Sequence, residues 1–465
     1  MTNSNLFEEF SAVTSKQWKQ KIQYDLKGAD YNDALVWESL EGIRVKPFYH
    51  AGDVTKNISF RLPQDHHWQI GQALYAQNAG LTNQKALDAI HKGATSLMIE
   101  IPESDIDWGI LFRDVPLEKI PVHLHFKFLE ANAIKRLLDQ IGSGTAQLFL
   151  NIDSIGHLAS SGNWHMNLDK DHKVLQAITT LCENHNTNIT VLGVDIAWHQ
   201  NAGANMVQQL AYALAHANEY LNHFQHSMAN SGTKAPIAIK VAVGSNYFFE
   251  IAKIRALRWL WCSLADRYGI MAHCHILAIP STRNKTLYDY NVNMLRTTSE
   301  CMSAILGGAD TICNLPYDAI YHKANEFGDR IARNQLLLLK EESYFNEAFK
   351  ASEGAYYIES LTQQMAQKAL ALFKQIETGG GFLSQLKKGG IQKKIKESAA
   401  KEQHLFDTGQ LVLLGTNKFQ NDNDRMKHEL QLYPFVKTSK RKTLVEPIIP
   451  RRLSEKLEQK RLDDE

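Results

Sequence analysis

Cysteine is scarce in this chain: five residues (Cys182, Cys262, Cys274, Cys301 and Cys313) among 465. Their number is odd, they are widely spread, and no CxxC pair occurs, so neither a disulfide framework nor a zinc knuckle is indicated. Reduced thiols and a cytoplasmic setting are the expectation. Excess charge is also missing. Fifty-one Lys and Arg balance fifty Asp and Glu to give a formal net charge of +1, which leaves no electrostatic case for nucleic acid as the main partner. No apolar run approaches the length of a membrane span, so no membrane partner is expected. The first ten residues have no basic flank, apolar core or Arg-rich amphipathic pattern and are not expected to be a targeting signal.

What remains is ordinary globular material, 44% apolar and 22% charged. Short apolar runs recur at residues 96–101, 122–126, 147–152, 189–195, 237–242, 275–279 and 311–315. Helical patterns separate most of them, notably at residues 83–92, 202–221, 248–268 and 291–306. Seven strands with intervening helices predict an α/β fold, a (β/α)8 TIM-type barrel with one strand unrecognised. A doubly wound open sheet is the competing arrangement. No GxGxxG follows the first run, which argues against a dinucleotide-binding version of it. Residues 1–67 read as an N-terminal arm, 68–378 as the barrel, and 379–465 as a helical C-terminal extension. From Leu6 the arm is mostly polar, with Phe10, Trp18 and Leu26 as sparse anchors, so it must lie on something else. Residues 387–401 are lysine-rich and read as a solvated face. Residues 411–419 read as one more strand, and residues 450–465 as a polar helix.

Residues 288–342 form one complete βα step. A helical pattern ends at Gly307-Gly308, where glycine tolerates the positive φ of a C-terminal cap. A short strand, a polar loop and a second helix from about Phe327 follow. The loop after a barrel strand faces the functional side, which places Asn314, Tyr317 and Asp318 where chemistry would occur.

The run NMLRTTSECMSAILGGADTICNLPYDA, followed by RIARNQLLLLKEES, resembles the substrate barrel of the cobalamin-dependent acyl-CoA mutases. Within that family it is most similar to the small subunits of methylmalonyl-CoA mutases. Arg296, Thr297, Arg330, Arg333, Asn334 and residues 356–359 carry the scaffold part of the likeness. Three chemical features of the family depart. The D-x-H-x-x-G motif, whose histidine reaches the cobalt, does not occur, so no cobalamin-binding domain is expected here. A family segment that reads I-R-Q-Y ahead of the first strand corresponds to residues 70–73, where Gly71 replaces arginine, Ala73 replaces tyrosine and Gln72 alone survives. A family motif G-Y-H-M-Q-E-A-G-A corresponds to residues 196–204, where Trp198 occupies the histidine position and His199 and Gln200 follow.

The resemblance therefore implies a degenerate pocket at Gly71, Gln72, Ala73, Trp198, His199, Gln200 and Asn314, with no catalytic, cofactor or metal residue. Trp198 is expected to fill the pocket. The implied role is the non-catalytic half of a heterodimer whose large subunit carries adenosylcobalamin and the active site. In the family the arm wraps that partner; packing on its own barrel is the other expectation. Two rivals stand beside this. The chain could be a catalytic barrel paired with a separate cobalamin-binding chain. Alternatively, His123 and His125, with His273 and His275, alternate along strands as in metal-dependent barrel hydrolases, with Asp195 and Glu100 as further ligands. Barrel histidines also serve as hydrogen-bonded interior residues, and His66-His67 reads as a polar loop.

Overall fold

In a computed structural model, residues 9–54, 67–142, 146–185, 188–228, 237–437 and 441–465 are described. Leu6 and His66 lie outside them. Eight parallel strands close a barrel: β1 (Gln69–Tyr75), β2 (Ser96–Ile101), β3 (Val122–Phe126), β4 (Gln147–Ile152), β5 (Asn188–Asp195), β6 (Ile237–Val243), β7 (His275–Pro280) and β8 (Thr311–Cys313). Strand order follows the chain, and β8 closes onto β1 with Ile312 opposite Ile70. The open-sheet alternative is thereby excluded.

The unrecognised strand is β1, so the segment containing Gly71 and Ala73 belongs to the first strand and does not precede it. Its inward positions carry glycine and alanine, which leaves the apolar alternation faint. At Gly71 an added Cβ would stand 3.1 Å from Cys313 Cβ and 3.2 Å from the Ile312 carbonyl oxygen, so β8 approaches here because no side chain intervenes.

The principal outer helices are α1 (Ala79–His91), α2 (Ala131–Ile141), α3 (Leu168–Glu183), α4 (Met206–Met228), α5 (Tyr247–Tyr268), α6 (Val292–Gly307), α7 (Glu326–Leu337) and α8 (Tyr356–Thr378). Short side chains open several of them. Asn78 caps α1 by accepting from the Leu81 N–H, Asn167 caps α3, and Asn325 caps α7. Gly308 closes α6 at φ +86°, as its sequence position predicts. Between strands and helices lies a continuous apolar layer that includes Ile70, Leu97, Leu124, Leu148, Val194, Ile239, Ile276 and Ile312.

The arm divides in two. Its helix, Ser15–Asp25, is held by a Thr14–Gln17 capping box and buries no residue; Phe10 is 73% and Trp18 51% exposed. These two anchors therefore find no cover on this barrel. The second half does pack on it: Ile43 is fully buried, Trp37 meets Phe249 on α5, and Tyr49 meets Tyr357 on α8.

Residues 411–419 are not a strand. They form a turn with one isolated bridge, Leu414 to Lys418, because Gly415 and Phe419 both adopt positive φ. Helices α9 (Gly381–Lys387) and α10 (Gly390–Asp407) seat Phe382, Ile391 and Ile395. Residues 441–454 then run back over the C-terminal end of the barrel as a strap. The N–H of Ile448 donates to the Ala159 carbonyl (2.8 Å), that of Arg451 to Asn201 (2.9 Å) and that of Leu453 to Arg283 (2.9 Å). The final helix, α11 (Glu455–Asp464), is polar yet anchored, since buried Glu458 accepts from Arg452 at 2.5 Å and from the Leu287 N–H at 2.8 Å.

Candidate functional site

A cavity of about 1160 Å³ opens at the C-terminal ends of the strands, where a barrel of this kind carries its loops. Beneath it the barrel axis is filled. His123 on β3 stacks on Phe149 of β4 (ring centroids 4.4 Å), and His275 of β7 lies 4.1 Å from Phe149 and 4.9 Å from His123. His275 Nε2 is 3.0 Å from the Thr311 hydroxyl. Burial, with His275, His125 and Lys240 nearby, holds the His123 imidazole well below its usual range, so it is neutral.

The cavity walls carry charge in pairs. Lys240, midway along β6, stands 3.1 Å from Asp195 at the end of β5; Lys127, just after β3, stands 3.1 Å from Glu100 of β2. Asp153, just after β4, accepts from the Gly156 N–H (2.8 Å), the Asp195 N–H (3.1 Å) and the Tyr220 hydroxyl (2.8 Å). His216 Nε2 is 2.8 Å from the same carboxylate. Burial alone would raise the Asp153 pKa, but His216 and the backbone donors outweigh it and hold the group below its ordinary value. His157 and His165 stack face to face on the wall, 3.7 Å apart at 14°. Burial, with His165 alongside, pushes the His157 imidazole down to about 4. His125 is likewise driven well down by burial and by Lys240 and Lys127. Asn151 takes φ +46° at the rim of β4, and its amide donates to the Phe149 carbonyl at 2.9 Å.

The positions singled out in the sequence scatter around this cavity. Gln72 and Ala73 border it, yet the Gln72 side chain turns outward to accept from Arg333 at 2.8 Å. Gly71 lies deeper, under β8. Trp198 does not plug the cavity. It stands at the rim, 37% exposed, and its indole N–H donates to the Ile448 carbonyl of the strap, which leaves the space open. His199 points away from the cavity into the packing between Tyr212 and Phe382, where burial lowers its pKa to about 4. Gln200 is buried in a structural network, accepting from Lys253 at 2.8 Å. Asn314 and Asp318 border the cavity but are already engaged. The Asn314 amide donates to the Ala332 carbonyl and to Gln335, and Asp318 accepts from Asn325. Tyr317 packs against Tyr290 and Phe327.

Three of the residues that carry the likeness make structural contacts. Arg296 ties α6 to Thr286 and to the Leu414 carbonyl, Arg330 lies over the Phe327 ring, and Glu359 pairs with Arg255 at 2.5 Å. The strand histidines His123 and His275 do meet inside the barrel, 4.9 Å apart, with the Phe149 ring against both. His273 precedes β7, and burial lowers its pKa. His67 lies 3.4 Å from the Asn346 side chain. Among the described residues, no group of three or more His, Cys, Asp or Glu stands close enough to hold a metal ion. No described helix is long and apolar enough to cross a membrane.

Sequence reasoning missed Lys240, Asp153, His157 and His165. Lys240 was legible as the lone charge in the run of residues 237–243, since a lysine inside a barrel strand must find a carboxylate. The His157–His165 pair joins a short helix, Ser154–Ser161, to the loop that follows it and matches no motif.

Residues 101–460 match the family model described as methylmalonyl-CoA mutase. The methylmalonyl-CoA mutase small subunit of Porphyromonas gingivalis is 33% identical over 90% of this chain and 71% of its own length. The small subunit from Streptomyces virginiae is 28% identical over 89% and 72%. The methylmalonyl-CoA mutase of Escherichia coli is 26% identical over 88% of this chain and 64% of that protein, so the chain spans about two thirds of these relatives. A dihydropteroate synthase from Thermus thermophilus aligns with 61% of this chain and 97% of its own at 11% identity and a TM-score of 0.31, too distant a likeness to bear on function.

Proposed function

Because this chain belongs to the methylmalonyl-CoA mutase family, we propose that it is the non-catalytic small subunit of a heterodimeric, adenosylcobalamin-dependent enzyme. Its large partner interconverts methylmalonyl-CoA and succinyl-CoA, and the cofactor, held by that partner, supplies the radical. The observation that carries the reading is Trp198. Where the family resemblance places a histidine, an indole stands, and its one N–H is spent on the Ile448 carbonyl. No donor from this position is left for the thioester oxygen of a substrate.

What this barrel contributes is a rigid body for the partner to bind. Binding confined to the folded partner raises its stability by mass action. The exposed start of the arm, with Phe10 73% and Trp18 51% exposed, is suited to reach that partner.

One observation favours a second reading. The cavity is open, so the chain could be a catalytic barrel served by a separate cobalamin-binding chain. Co-expression with an affinity-tagged large subunit separates the two. The first reading expects this chain to co-purify with the large subunit in equal amounts, with adenosylcobalamin bound. Elution of this chain alone, with mutase activity of its own, would overturn it.

A further inference from the structure

The lysines drawn into the body of this fold are not alike. Lys253 and Lys285 are 1% exposed and saturated. The Lys253 ammonium meets Gln200, Gln209, Ala242 and Glu250, and that of Lys285 meets Asn284 and both oxygens of Glu300. Lys240 differs on both counts. Its side chain is 20% exposed and borders the cavity, and among the described residues it meets one carboxylate, Asp195, at 3.1 Å. An ammonium carries three N–H donors, so donors are left for whatever enters. Its charge acts on His123 and His125 of β3 and on Cys313 of β8, which sets the amine toward the barrel axis. Asp195 is held in place beside it. One carboxylate oxygen accepts from the Ala197 N–H at 3.0 Å, the residue's own N–H donates to Asp153 at 3.1 Å, and the other oxygen faces Lys240. An amine on a rigid strand, a carboxylate in reach of its protons and an open cavity in front are what nucleophilic addition by lysine requires.

We propose that Lys240 captures a small uncharged aldehyde or ketone as an iminium, with Asp195 carrying the protons. Asp195 takes a proton from the ammonium. The freed amine adds to the carbonyl carbon, forming the C–N bond, and the carbonyl oxygen takes that proton. The carbinolamine then loses its oxygen as water: the C–O bond breaks, a second nitrogen proton leaves with it through Asp195, and C=N forms. Overall, an ammonium and a carbonyl compound give an iminium and water, with nothing oxidised or reduced. The positive charge stays on the nitrogen, so the ion pair with Asp195 outlasts the reaction. The lining sets the class of carbonyl compound. It carries five carboxylates, Glu100, Asp153, Asp195, Asp318 and Asp329, against four lysines, and Lys127 and Lys240 are already paired. A ligand with a carboxylate of its own would meet like charge there. The inference stands whether or not the chain pairs with a large subunit, because it uses only the cavity's own groups.

Two aldehydes of one chain length test it on the full chain at near-neutral pH: butanal, and 4-oxobutanoate, which ends in a carboxylate. Sodium cyanoborohydride reduces an iminium to a stable secondary amine, which intact-mass and peptide mass spectrometry then locate. Butanal is expected to label Lys240 at least about tenfold faster than any exposed lysine, and 4-oxobutanoate to label it more slowly than butanal does. K240R keeps a charge beside Asp195 and removes the amine, so it should lose the fast adduct and keep the slow surface labelling. D195N should slow the fast adduct at least about tenfold; should it fail to fold, the K240R comparison decides alone. Labelling of Lys240 no faster than that of exposed lysines would overturn the proposal. So would a fast adduct that survives in K240R, capture of 4-oxobutanoate at Lys240 as fast as butanal, or an unchanged rate in folded D195N.

Discussion

Replacing Trp198 with alanine should release the strap from the cavity rim. The indole is 37% exposed and donates to the Ile448 carbonyl. A fully buried aromatic side chain removes about 150–250 Å² from water, so roughly 100–150 Å² is covered here. At about 25 cal/mol per Å² this is worth about 3 kcal/mol. The lost hydrogen bond adds about 1 kcal/mol, offset in part by access of water to the freed carbonyl. Other ties persist, including the N–H of Ile448 to Ala159 and of Arg451 to Asn201, so opening should be local. Native-state trypsin digestion reads it directly, because the strap carries Arg441, Lys442 and Arg451. Cleavage follows the open population, and 1.4 kcal/mol is tenfold, so about 3 kcal/mol predicts on the order of a hundredfold faster cutting. W198F, which keeps a ring but loses the donor, should accelerate it only about fivefold. Equal cleavage of wild type and W198A would refute the assignment of this residue as a strap anchor.

Other predictions follow from the same contacts. Lys285 and Glu300 form a fully buried pair, with Lys285 Nζ 2.8 and 2.9 Å from the two carboxylate oxygens. K285M should destabilise by about 3–5 kcal/mol in urea unfolding, and K285M/E300L should recover much of it. Burial raises the Glu300 pKa even in the pair. A carboxyl raised in the folded state binds more protons folded than unfolded, so K285M should gain stability as pH falls from 7 toward 5. A K285M deficit that grows on acidification would contradict this. Gly71→Ala should cost about 1–3 kcal/mol by overpacking against Cys313 and Ile312; a neutral effect would show that β8 yields there. By NMR, His157 should stay neutral until pH approaches about 4, with the stability it contributes present above about 6.5 and lost as pH falls below it. A midpoint near 6.5 would place that ring in water.

How much of this was legible depends on what each residue answers to. Seven strands were readable because their apolar runs face helices on the outside and are bounded by turns. The eighth was hidden because Gly71 and Ala73 make room for close approach and leave no pattern. Residues 411–419 looked like a strand by composition, yet two positive-φ residues bend them into a turn. The positions that depart from the family motif were legible from the resemblance, but where Trp198 would point was not, because its partner lies 250 residues away in the strap. The cap at Gly308 was legible because capping is local; the pairing of His157 with His165 folds a short helix and the loop after it together and matches no motif.

The central claim is that catalysis resides in the partner. Its most direct test is adenosylcobalamin-dependent conversion of methylmalonyl-CoA to succinyl-CoA by purified full-length chain, supplied in turn with a cobalamin-binding chain alone and with the large subunit. The account predicts no turnover in the first mixture and full turnover in the second. Sustained turnover with the cobalamin-binding chain alone would contradict it.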